Sequence, residues 1–199
     1  MTTTTNTDAP AYIVDGVLTD GEAWVPLKTT ILGSDTVGVE WTSSTGANDW
    51  SQYMDLVIIA YSQSTTTANG VLARFNNDTT TANYAYQYYY GDGSTVSAAE
   101  GTGPAGCWLL YSDKHATQNN TYACAVATVY DINSGKHKTL TSTFADDRDA
   151  GGGYTGQYTT TWLGQAPITE IDLIDGNGNA FAADSRYDLF GVLPRMVTV

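Results

Sequence analysis

Apolar and polar positions alternate in short runs along this chain, and each run ends in residues that favour a turn. The runs cover 71–75, 107–111, 122–130, 139–144, 158–163, 168–174 and 187–193, all rich in β-branched or aromatic side chains. Between and around them stand Asp15-Gly16, Asp20-Gly21, Asn69-Gly70, Asp92-Gly93, Ser134-Gly135 and Asp175-Gly176-Asn177-Gly178. Such punctuation is the signature of many short strands. Residues 122–130 and 136–144 read as two arms of a hairpin around Asn133-Ser134-Gly135. Residues 168–174 and 187–193 read as a closing hairpin, with Ile168, Ile174 and Phe190 among its buried side chains. Parallel strands would need crossover helices, and the pattern offers almost none. The expectation is an all-β protein, an antiparallel and jelly-roll-like β-sandwich.

One stretch fits two templates. Trp50, Tyr53, Met54, Val57, Ile58 and Tyr61 match the spacing of a helix face, whereas 56–61 is an unbroken apolar run of strand length. A Thr-rich polar stretch then leads to Asn69-Gly70, so 56–61 is expected to be a buried strand preceded by a turn at 45–48. Residues 1–12 are polar, Thr-rich and contain Ala9-Pro10, which marks a short N-terminal arm outside the core. A single sandwich domain is expected over 13–199. Gly151-Gly152-Gly153, after Asp146, Asp147, Arg148 and Asp149, reads as a loop.

Composition narrows the function. A chain of 199 residues can bury a full core without a disulfide or metal to hold it. Charged residues make up only 15% of the chain, and Thr, Gly, Ser, Ala and Tyr take their place. Thr suits the solvent face of a strand, whereas Lys and Glu favour helices. The net charge of −13 comes from 8 basic against 21 acidic residues, with no basic run. That balance repels nucleic acid, whose binders replace counterions with Lys and Arg, and disfavours an anionic membrane surface. No apolar stretch approaches a membrane span, and the first residues lack the basic and apolar regions of a signal peptide. The expectation is a soluble protein made in a cytoplasm. Cys107 and Cys124 then fit two buried thiols better than one bridge.

Candidate chemistry is sparse. Gly101-Thr102-Gly103-Pro104-Ala105-Gly106 matches G-x-G-x-x-G, but a strand-like run follows where a dinucleotide site needs a helix. His115 and His137 are the only imidazoles, both in polar, turn-like contexts, and a Ser or Cys nucleophile would need one of them beside it. Carboxylates could serve a glycosidase as a facing pair, with Asp146, Asp147 and Asp149 or Glu170, Asp172 and Asp175 as the candidates. Carboxylates on a Gly-rich loop are usually solvated, and a working acid needs an apolar pocket. Asp175-x-Asn177-x-Asn179 opens like a calcium loop, yet Ala180 and Arg186 stand where that loop wants Gly and Glu, so a plain turn is expected. No enzyme activity, catalytic residue, metal or cofactor is expected.

The most distinctive feature is Tyr84-Ala85-Tyr86-Gln87-Tyr88-Tyr89-Tyr90. At the period of two that a strand imposes, Tyr84, Tyr86, Tyr88 and Tyr90 share one face. Such a face can be inter-sheet core, a subunit interface or a sugar-stacking platform, with structure as the favoured role. These four are the candidate interface residues.

Residues 49–59 (DWSQYMDLVII) resemble the opening strand of jelly-roll domains of the galactose-binding and carbohydrate-module type. The series 72–79 (LARFNNDT), 83–86 (NYAY), 168–173 (ITEIDL), 178–181 (GNAF) and 185–191 (SRYDLFG) resembles, in that order, small β-sandwich structural proteins of tailed bacteriophages. The resemblance implies a virion structural protein that decorates or cements a capsid shell, or serves as a fibre or tail accessory module. Proteins of this kind work as oligomers, often trimers. With no fibre shaft present, the expected role is decoration of the outer capsid surface, with the major capsid protein as partner. An acidic surface suits that position, away from packaged DNA, and the arm could lie across a neighbouring capsomer. The alternatives are a tail-associated, glycan-binding receptor module and, third, a glycoside hydrolase.

Overall fold

A computed structural model describes residues 13–14, 17–18, 24–66, 69–112, 121–147 and 153–193. The arm at 1–12, His115 and Asp149 lie outside them. In chain order the strands are β1 (Ile13–Val14), β2 (Val17–Leu18), β3 (Trp24–Ile31), β4 (Val39–Thr42), β5 (Asp55–Ser62), β6 (Asn69–Phe75) and β7 (Tyr84–Gly91). There follow β8 (Val96–Thr102), β9 (Cys107–Ser112), β10 (Ala123–Tyr130), β11 (Lys138–Asp147), β12 (Gly153–Trp162), β13 (Glu170–Asp175) and β14 (Arg186–Val192). Apart from short 3₁₀ turns at Gly46–Asn48, Trp50–Gln52 and Thr81–Asn83, no helix occurs among the described residues.

β1 and β2 pair as a small ribbon. The others form an eight-stranded sheet, β3-β14-β5-β10-β11-β12-β7-β8, and a four-stranded sheet, β4-β13-β6-β9, and every pairing is antiparallel. Take β3, β4, β5, β6, β9, β10, β13 and β14 as first to eighth. Their order is then 1-8-3-6 in one sheet and 2-7-4-5 in the other, the wrapped arrangement of a jelly roll. The remaining strands come from two insertions, β7–β8 after β6 and β11–β12 after β10, and they extend the larger sheet. β9, an edge of the small sheet, lies over β10, β11 and β12 and reaches β7, so β8 overhangs.

Side chains from facing sheets fill the space between them. Trp41, Phe75, Leu109, Ile171 and Leu173 enter from the small sheet, and Leu56, Ile58, Ala125, Ala127, Leu140, Tyr187 and Leu189 from the large one. β10 shows why the sequence works: Ala123, Ala125, Ala127 and Val129 point inward, while Cys124, Val126 and Tyr130 face solvent. Ser142 of β11 donates a buried hydrogen bond to the Leu109 carbonyl of β9, which ties one sheet to the other.

The hairpin of 122–130 with 136–144 is present as β10 and β11, in continuous register from Tyr130 opposite Thr139. The run at 56–61 is strand β5, and the helix-like spacing before it reduces to one 3₁₀ turn whose Ser51 N–H bonds to Asp49. The closing hairpin is not formed. β13 and β14 follow each other in sequence but lie in opposite sheets, β13 between β4 and β6 and β14 between β3 and β5. A jelly roll wraps successive strands across its two layers, so proximity in sequence does not mean pairing. Ile168 is buried as expected, but Ile174 and Phe190 are half-buried, and Ile171, Leu173, Tyr187 and Leu189 hold the inward positions. Cys107 is a buried free thiol, pushed up to about 12 by burial. Cys124 is also free, but it is exposed because its alternate position in β10 faces outward.

Candidate functional site: a tyrosine-walled cleft

The entry to β7 is pinned by Asp78. Its Oδ2 accepts from the Trp162 indole N–H at 2.7 Å and from Asn83 Nδ2 at 2.8 Å, and its Oδ1 accepts from the Thr80 N–H at 2.9 Å. The Tyr84 hydroxyl donates to the Asp78 carbonyl at 2.9 Å. Partial burial pushes the Asp78 carboxyl up, but the donors together outweigh it and hold the group at about 2. This network fixes the phase of the strand, so Tyr84 sits in the core and Tyr86, Tyr88 and Tyr90 follow it along the inner face.

Tyr84 is fully buried, and its burial pushes the phenol well above the usual range. Tyr86, Tyr88 and Tyr90 are half-buried and stacked: centroids lie 6.1 Å apart for Tyr86–Tyr88 and 5.4 Å for Tyr88–Tyr90, with planes 15° and 13° apart. Rings stacked on one another along a strand present edges and hydroxyls outward. Burial, then the neighbouring Tyr90 and Tyr86, raises the Tyr88 phenol, so it stays a neutral hydrogen-bonding group at physiological pH.

β12, beside β7 in the same sheet, extends this wall, and β9 of the small sheet faces it. Trp108 stacks on Tyr158 at 5.6 Å and meets Tyr86 edge-on at 6.3 Å. Tyr111 stacks on Tyr90 at 6.1 Å, and Tyr154 meets both edge-on at 5.0 Å. Residues 108 and 111 would face opposite ways in a regular strand. The ladder of β9 with β6 shifts register between Val71, opposite Leu110, and Leu72, opposite Trp108, leaving Leu109 as an extra residue. This bulge turns Trp108 and Tyr111 to the same cleft. Gly70 is required beneath it, since a Cβ there would lie 2.3 Å from the Trp108 ring and 2.1 Å from the Leu110 carbonyl. Tyr86, Tyr88, Tyr90, Trp108, Tyr111 and Tyr158 line a cleft of about 240 Å³. The Trp108 Nε1 is buried, with no hydrogen-bond partner among the described residues.

Two other surfaces carry polar chemistry. On the outer face of the same sheet, a shallow groove of about 630 Å³ is lined by Ala85, Gln87, Glu100, Thr102, Thr159 and Thr161. On the outer face of the small sheet, Glu40 of β4 lies opposite Asp172 of β13, with Glu170 two residues along. One oxygen from each of the three falls within 4.8 Å of the others. Burial first, then mutual repulsion, raises Glu170 and Asp172, while Arg74 across the strand opposes the shift at Asp172. The depression beside them is about 270 Å³.

The other sequence candidates take structural positions. His137 is exposed in the turn between β10 and β11. Asp175 accepts from the Asn177 N–H, the Asn179 N–H and Asn179 Nδ2, so this loop is a turn closed by its own first carboxylate. Asp175 therefore parts from Glu170 and Asp172, whose companion is Glu40. Asp146 is buried, near the end of β11. The G-x-G-x-x-G segment bridges β8 and β9, with Gly103 in the left-handed region at φ 88°. Tyr154 lies outside the apolar run 158–163, but four residues before Tyr158 in one strand it shares that residue's face; nothing local signals the Leu109 bulge or brings Glu40 to Asp172. No helix among the described residues is long and apolar enough to cross a membrane. No protein-family model matches the chain, and no curated protein matches it.

Proposed function

We propose that this protein is a non-enzymatic bacteriophage virion structural protein, a capsid decoration or cement protein that docks as an oligomer on the outer shell. The observation that carries the reading is the tyrosine-walled cleft between β7, β12 and the edge strand β9. Tyr and Trp dominate interface hot spots because they bury large rigid surface at small entropic cost and keep a polar tip. Here six aromatic rings line one opening. An apolar side chain on a docking loop of the major capsid protein would fill the cleft. The resemblance to phage β-sandwich proteins and the acidic surface support the same role.

The test is occupancy on particles. Tyr88→Ala should weaken capsid binding by about 1–4 kcal/mol, as a hot-spot truncation does, while the variant stays folded. Counting copies per virion checks the placement: copies should match the symmetry axes of the shell. Density confined to the tail, or absence from purified virions, would refute the assignment. The outer groove favours a second reading, glycan binding by a tail module, because Gln87, Glu100 and three Thr hydroxyls are groups that bond sugar hydroxyls. Glycan binding that disappears with Gln87→Ala and survives Tyr88→Ala would favour it.

A further inference from the structure

The sheet edges are guarded unequally. β3 carries Pro26 and Lys28, and its ladder with β14 is broken by a register shift at Leu189/Phe190. β4 is only four residues long, and β9 contains the Leu109 bulge. Proline, lysine, bulges and shortness are the devices that keep a strand edge from pairing with another chain. β8 has none of them: seven residues, Val96-Ser97-Ala98-Ala99-Glu100-Gly101-Thr102, in unbroken register with β7 and almost wholly exposed.

Hydrogen bonds at both ends of the β7–β8 ladder set its phase. The Gly103 N–H donates to the Tyr84 carbonyl at 3.0 Å and the Asp92 N–H to the Thr95 carbonyl at 3.1 Å. Ser97, Ala99 and Gly101 are therefore the residues of β8 that bond to β7. The N–H and C=O groups of Val96, Ala98, Glu100 and Thr102 point away from the sheet. We propose that this edge pairs with itself: two copies join antiparallel through β8 across a two-fold axis, merging their eight-stranded sheets.

The strand's own residues select the register. Centred on Ala99, Val96 lies opposite the partner's Thr102 and Ala98 opposite the partner's Glu100, which engages every outward N–H and C=O of both strands. Centring on Ala98 leaves part of the set unpaired. Centring on Glu100 sets the only charged side chain of β8 against its own copy, a repulsive pair. On the tyrosine face the seam consists of Ser97, Ala99 and Gly101, small enough for the two edges to meet. The Tyr86 ring already leans over Gly101, where a Cβ would lie 2.6 Å from its hydroxyl. The partner's Ser97 would come beside that ring. The inference stands whatever the cleft binds.

A strand pair of this length buries less than the roughly 1,200–2,000 Å² of a stable interface, so association is weak, with a Kd of about micromolar to millimolar. Each copy carries −13, so added salt should tighten the dimer by screening. Sedimentation equilibrium on the purified full chain should show mass rising with concentration from one copy towards two. Ala98→Pro removes an outward N–H without touching the β7 ladder, and should weaken association about tenfold or more with the fold retained. Because opposed Ala99 residues are a non-hydrogen-bonded pair with Cα atoms about 4.5 Å apart, Ala99→Cys in a Cys124→Ser background should oxidise to a covalent dimer. Val96→Cys, whose copies lie at opposite ends of the seam, should not. A monomer at millimolar concentration, a closed trimer, or equal cross-linking of the two cysteine variants would overturn the proposal, since an isologous contact closes at two copies.

Discussion

The jelly roll and the overhang that extends it use their strands differently. In the jelly roll, β5 and β14 sit at mid-sheet and bury residues on both faces, with Leu56, Val57, Ile58, Tyr187, Asp188 and Leu189 all enclosed. In the overhang, β7 buries only Tyr84 and β8 buries nothing. Here the second layer ends at β9, whose Trp108 and Tyr111 meet the β7 rings, and β8 beyond it carries only Ser97, Ala99 and Gly101 on that face. Close packing from two sides gives the jelly roll its stability. The overhang gives up part of that burial and gains a surface on which apolar area and hydroxyls remain available. Buried core and exposed aromatic surface are therefore assigned to different strands of one continuous sheet.

The largest expected effect lies in the small sheet. Phe75 is fully buried with its ring 5.6 Å from Trp162, and Phe75→Ala should cost about 3–5 kcal/mol in urea unfolding. A loss below about 1 kcal/mol would mean that the two-layer core is plastic, and the contrast would fail.

Asp78 stands at the junction of the two regions. Asp78→Ala removes the acceptor of the Trp162 indole and of Asn83, and should cost about 1–3 kcal/mol. Because the folded carboxyl is held at about 2, below its ordinary value of 3.8, its contribution is fully present above that ordinary value. It is lost as pH falls through about 2. The stability gap between the native protein and Asp78→Ala should therefore narrow from pH 5 down to pH 2 in thermal melts. A gap that stays constant would show that the charge is not what holds β7 in phase.

Tyr88→Ala, the change proposed to weaken capsid binding, should cost the isolated protein less, about 1–2 kcal/mol, because the ring is half-buried and its stacking partners remain in place. A loss as large as that of Phe75→Ala would make the ladder part of the core. Smallest of all, Val96→Thr on the exposed edge should change the melting free energy by less than about 0.5 kcal/mol, read at a concentration where the protein is monomeric.

Much of this molecule is decided within a few neighbouring residues. Strand runs, glycine-bearing turns and the β10–β11 hairpin are local, since period-two burial and turn chemistry act over a few positions. So are the common face of Tyr84, Tyr86, Tyr88 and Tyr90 and the self-closed Asp175 turn. What the sequence could not contain is the assignment of strands to layers. β13 and β14 look like hairpin arms because they are adjacent, yet each pairs with strands about a hundred or more residues away. The same holds for the site. Trp108 and Tyr111 share a cleft only because Leu109 bulges against β6, and Glu40 meets Asp172 only because β4 and β13 are neighbours in the sheet. Ladder register and strand order are chosen by the packing of one sheet on another, a free energy that belongs to the whole sandwich. The chain by itself therefore determined which residues become strands and which of their faces are aromatic, and the tertiary structure alone decided what those faces meet.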